Sequence, residues 1–166
     1  MRTRQGRVNL LAAAVLIAGG CAPAPQTSNT PAAGSTLSAS IVDPYLKIQE
    51  ALADDKTDGV KENAGQVATA SAALGAPAMK IDTAAVQLAS ASGLEDARTR
   101  FATLSEAIDD YMTGLHLKAP EGVRVAFCPM VQKPWLQKGE AIENPFYGKA
   151  MSDCGRITPN IPDLKK

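Results

Sequence analysis

Histidine, cysteine and aromatic residues are scarce in this 166-residue chain, which has one His, three Cys, three Phe, three Tyr and one Trp. Beyond Cys21 the available imidazole and thiols are His116, Cys128 and Cys154, which leaves the usual tetrahedral zinc set incomplete. Excess charge is absent as well: 17 Lys and Arg balance 17 Asp and Glu. No basic patch or run of aromatics and arginines is present, so nucleic acid is excluded as a partner. Gly-rich phosphate loops, HExxH and GxSxG are all missing. Cys128 and His116 have no identifiable orienting acid or oxyanion hole, and the chain reads as not an enzyme.

No apolar run is long enough to cross a bilayer, but a shorter one opens the chain. Arg2, Arg4 and Arg7 precede or flank an apolar stretch at 8–18, and Gly19 and Gly20 stand directly before Cys21. A basic start, a short apolar core and small residues at the cut predict an export signal over 1–20. Small residues followed by cysteine resemble the lipobox of bacterial lipoproteins, although Ala18 stands where leucine is commoner. That resemblance implies a lipidated Cys21 and a protein tethered to the membrane on the periplasmic side of the envelope, with multiple acyl chains giving stable anchoring. The following "APAPQTSNTPAAGSTLSAS" carries no charge and no large residue before Leu37. It predicts a flexible spacer to about Ser40, so that 21–40 holds a domain off the membrane. Without the three signal arginines the charge is 14 basic against 17 acidic residues, or minus 3.

From 41 to 115 nothing alternates like a strand. Asp43 before Pro44 predicts a helix start, with Val42, Tyr45, Ile48 and Leu52 on one face. A second helix is predicted over about 57–74 on Val60, Ala64, Val67, Ser71 and Leu74, and a third over about 77–91 on Ile81, Ala85 and Leu88. The fourth has the strongest signal: Ser92 with Glu95 reads as a capping box, followed by Leu94, Ala97, Phe101, Leu104, Ile108, Tyr111 and Leu115. Short connections then favour an all-α fold, an antiparallel four-helix bundle over 41–118. His116 falls at the end of the fourth helix, a favourable place for it without any catalytic role.

The segment 119–166 is different, and reads as a loop-rich stretch packed on the bundle. Val123, Val125 and Phe127 alternate with Arg124 and Ala126 as a short strand-like run. Pro129, Pro134, Gly139, Pro145 and Gly148 then predict an ordered loop over 128–147, pinned by Trp135 and Phe146. A single helical turn would put Met151 and Cys154 on one side. Both cysteines beyond Cys21, two methionines, the only tryptophan and four of the aromatics lie between Phe127 and Gly155.

Cys128-Pro129-Met130, Trp135-Leu136, Asn144-Pro145-Phe146-Tyr147-Gly148, Met151 and Cys154-Gly155 resemble the signature of a bacterial domain family of unassigned function. The resemblance extends back to about Asp43 and includes "ARTRFATLSEAI" in the fourth helix; the stretch between Met130 and Trp135 is shorter than usual, and Val131 replaces a small residue. Members of that family are exported or fused to periplasmic adaptors of copper- and silver-type heavy-metal efflux pumps. The resemblance implies components of such a system as partners, with Trp135, Asn144, Phe146, Tyr147, Gly148 and Gly155 as supporting residues.

Thiolates and thioethers are soft ligands, so Cys128, Met130, Met151 and Cys154 would make a site for Cu(I) or Ag(I). The alternative is a Cys128–Cys154 disulfide clasping a structural or partner-binding module, as an oxidising compartment favours. Closing that loop of twenty-six positions would stabilise by about 3 to 4 kcal/mol. The residues alone leave both open.

Overall fold

The computed structural model describes residues 31, 32 and 34–158. The predicted signal peptide, Cys21 and the first part of the spacer lie outside the described residues. Helix α1 spans Ala39–Ala53, α2 Val60–Ala72, α3 Met79–Ala89 and α4 Leu94–Gly114. Strands β1 (Val123–Cys128), β2 (Lys133–Lys138) and β3 (Arg156–Thr158) form an antiparallel sheet in the order β2-β1-β3.

The all-α, four-helix-bundle expectation is therefore wrong: the fold is mixed, with four helices and a three-stranded sheet. The helices pack in chain order, α1 on α2, α2 on α3 and α3 on α4. On the remaining side, β2 lies against both α4 and α1. Trp135 and Leu136 of β2 are buried with Tyr45 of α1 and Phe101 of α4 in one continuous core.

The predicted loop over 128–147 contains β2, and its burial explains why the strand is hard to read. Pro134, Trp135, Leu136 and Gln137 are all buried, so no polar face marks the alternate positions. Pro134 is tolerated because β2 is an edge strand. Two residues on, and so facing the same way, the Leu136 amide donates out of the sheet to Tyr45 Oη at 3.2 Å. The phenol is also hydrogen-bonded to Ser105 Oγ at 2.7 Å, and burial pushes its pKa up. Tyr45 thus ties the sheet edge to α1 and α4 at once.

Three further differences are local. Helix α1 starts before Asp43, so Pro44 lies inside it. The missing N–H there leaves only the carbonyl of exposed Ser40 without its helical donor, which water can supply. Burial of Ile41 and Val42 accompanies the earlier start. The spacer also ends sooner than Ser40: Gly34 N donates to His116 O, Lys118 N to Ser35 O and Leu37 N to Lys118 O, with Leu37 buried. At the start of α4, Ser92 N and Oγ both donate to Asp96 Oδ2, at 2.9 and 3.2 Å, rather than sharing a box with Glu95. Glu95 instead accepts from Arg98.

Candidate thiol and metal site

Cys128 ends β1 and Cys154 stands two residues before β3. Because Phe127 is opposite Arg156, the chain entering β3 runs beside the end of β1, and this brings the Cys154 side chain within hydrogen-bonding reach of Cys128. Cys128 is fully buried and Cys154 half-buried, both as free thiols. Burial pushes the Cys154 thiol pKa up, and the charge and hydrogen bond of the neighbouring Cys128 push it further. Neighbouring thiols of this kind stay protonated unless a cation balances the two thiolates or an oxidant removes both hydrogens to form a disulfide.

The predicted methionines are placed differently. Met130 lies in the β1–β2 turn with 62% of its surface exposed, whereas Met151 ends the 3-10 turn Gly148–Met151 and is half-buried. The Cys154 amide donates to Met151 O at 3.1 Å, so Met151 and Cys154 belong to one tight turn. Among the described residues no group of three or more His, Cys, Asp and Glu side chains comes together.

Asn144 is the polar centre of the segment. Its Oδ1 accepts the amides of Phe146 and Tyr147, at 2.8 and 3.3 Å. Its Nδ2 donates to Cys128 Sγ at 3.4 Å and to the Cys154 carbonyl at 2.5 Å. Gln137 does the same work for the adjoining loop, accepting from Trp135 Nε1 at 3.1 Å and Glu143 N at 3.2 Å while donating to Ala141 O at 2.5 Å.

Aromatic contacts join this segment to the helices. Tyr45 stacks on Phe101 at 4.9 Å, Phe101 meets Phe146 at 6.1 Å, and Phe146 meets Trp135 edge-on at 5.7 Å. Gly155 lies beneath Trp135: a Cβ there would come 2.6 Å from the indole ring. Tyr147 is half-buried against the same core.

Arg98, absent from the sequence reading of the site, is the ionic counterpart of that contact. Its side chain is 10% exposed and donates to Pro145 O (3.2 Å), Leu52 O (3.1 Å), Glu95 Oε1 (2.9 Å) and Asp55 Oδ1 (2.5 Å). Asp55 Oδ1 also accepts the Lys149 amide at 3.3 Å. The signal was present: Leu94, Arg98, Phe101, Ser105, Ile108 and Met112 recur at helical spacing, with a charge in an inward-facing register.

The Arg98 hydrogen bond, aided by the Lys149 amide, holds the Asp55 carboxyl below the usual carboxylate range. Its folded pKa is thus below its unfolded one, so the stabilisation is complete above about pH 4 and is lost as the pH falls through the depressed value. Asp55→Asn is expected to lower the urea midpoint at neutral pH and to converge with the wild type only as the pH falls through the depressed pKa of Asp55. A constant difference across that range would contradict this assignment.

No family model, curated protein or solved structure matches the chain.

Proposed function

We propose that this chain is a non-enzymatic module, exported and lipid-tethered at Cys21 on the periplasmic side of the envelope, whose reduced Cys128–Cys154 pair binds Cu(I), or Ag(I) in its place. The observation that carries this reading is the meeting of two thiols, one at the end of β1 and one on the approach to β3. Soft thiolates select cuprous ion, and the N–H of Asn144 on Cys128 Sγ is the kind of supporting donor that orients a metal-bound sulfur. Met151, in the same turn as Cys154, is the thioether best placed to join them. A role in heavy-metal handling or efflux, with periplasmic pump components as partners, rests on the resemblance of the CPM, NPFYG and MxxCG segments to domains carried by efflux adaptors.

A second reading has its own support. Met130 extends into solvent, and full burial of Cys128 suits a covalent clasp as well as a ligand. On that reading a Cys128–Cys154 disulfide fastens the sheet of a partner-binding module.

Competition of the reduced full-length chain against a Cu(I) chelator separates the two. Cys154→Ser is expected to weaken Cu(I) binding by more than the roughly 10- to 100-fold cost of losing a supporting group. Met151→Leu should have a smaller effect, and Met130→Leu the smallest. A reduced wild type that cannot hold Cu(I) against the chelator removes the metal reading and leaves the clasp.

A further inference from the structure

Asn144 is fully buried, and both ends of its carboxamide are engaged. Two backbone amides, from Phe146 and Tyr147, point at Oδ1, and this fixes the orientation of the group, because a flipped amide would set N–H against N–H. Nδ2 must then face the cysteines, with Cys128 Sγ at 3.4 Å and the Cys154 carbonyl at 2.5 Å. The main chain of Asn144 is itself held at both sides, its N–H donating to Ser152 O at 2.9 Å and its carbonyl accepting the Gly148 amide at 3.0 Å. One buried side chain therefore touches both cysteine residues from a backbone that cannot drift.

We propose that Asn144 is the positioning residue of the sulfur pair, its NH2 group setting the aim of Cys128 Sγ relative to Cys154 both for metal uptake and for disulfide closure. The metal half of this inference rests on the proposed Cu(I) site; the closure half does not. In closure, Cys128 and Cys154 each give up a hydrogen to glutathione disulfide, one S–S bond forms in the protein, and two reduced glutathione molecules leave.

The two halves of the carboxamide can be tested apart. Aspartate retains the acceptor for the Phe146 and Tyr147 amides and forms the same kind of turn, but has no N–H for the cysteines. Asn144→Asp in the full-length chain is expected to retain the circular dichroism and Trp135 fluorescence of the wild type. Cu(I) affinity should fall about 10- to 100-fold, and closure by glutathione disulfide should slow by a similar factor. A folded Asn144→Asp protein with wild-type affinity and closure rate would show that the residue only builds the turn, and would overturn the proposal. If the reduced wild type binds no Cu(I), the metal reading fails while the closure rates still decide the role of Asn144. If Asn144→Asp does not fold, the side-chain NH2 resonances of Asn144 in the wild type decide instead. They are expected to be protected from solvent exchange and to shift when the thiols close, and resonances indifferent to closure would overturn the proposal.

Discussion

Gly148→Ala is expected to destabilise the protein by roughly 2 to 5 kcal/mol in urea denaturation, the sum of an overpacking cost and the cost of a left-handed residue with a Cβ. Gly148 is buried with φ at +55°, and a Cβ at that position would overlap Asp55 Oδ1 and Arg98 Nη2. These two atoms form the ion pair that attaches the segment after Pro145 to the end of α1. The methyl group cannot be accommodated by a flexible side-chain tip without breaking that pair. Asp55→Ala removes one of the overlapping atoms, so the double variant should be less destabilised than the sum of the single ones. Strict additivity would mean that the overlap is relieved elsewhere.

Arg98→Leu is expected to cost about 3 kcal/mol, and the loss should be concentrated at the sheet side of the fold. The substitution leaves the Pro145 and Leu52 carbonyls without their side-chain donor. Asp55, whose side chain is 37% exposed, can rehydrate, and so the cost is set mainly by the buried carbonyls. Lysine has a single donor point where Arg98 reaches in three directions, so Arg98→Lys should recover little. Amide exchange should rise at Phe146 and Gly148 and stay nearly constant at the α2–α3 contact. A loss below about 0.5 kcal/mol, typical of an ordinary surface change, would contradict the role given to Arg98.

The helices were legible because their apolar residues recur at three and four over several turns: the Ala97 to Tyr111 stripe and Val60, Ala64, Val67 are all buried as the pattern implies. Local start signals were less reliable. Asp43-Pro44 gave way to a helix start that also buries Ile41 and Val42, and Asp96 took the place of Glu95 at the head of α4. The strand β2 was hidden because Pro134 looks like a breaker and because four consecutive residues are buried, which removes the period-two signal. Strand β3 has only three residues, too few to show any pattern.

The site was legible as composition and not as geometry. Scarcity singled out Cys128 and Cys154, and the pairing of β1 with β3 returns the turn that carries Cys154 to the end of β1. Equal weight on Met130 and Met151 was reasonable from their spacing, but the turn after β1 carries Met130 into solvent while the 3-10 turn keeps Met151 half-buried. Asn144 was recognisable only as part of a recurring motif, since its role depends on which end of a carboxamide faces sulfur. Arg98 was not singled out, because the carbonyls it serves lie 46 and 47 positions away.

Binding of a soft metal ion by the reduced Cys128–Cys154 pair is read out by native mass spectrometry of the exported protein, titrated with Cu(I) before and after reduction. A single copper is expected on the reduced protein with both thiols deprotonated, and none on protein two hydrogens lighter than its reduced form. Reduced protein with two free thiols and no copper at any point in the titration would contradict it.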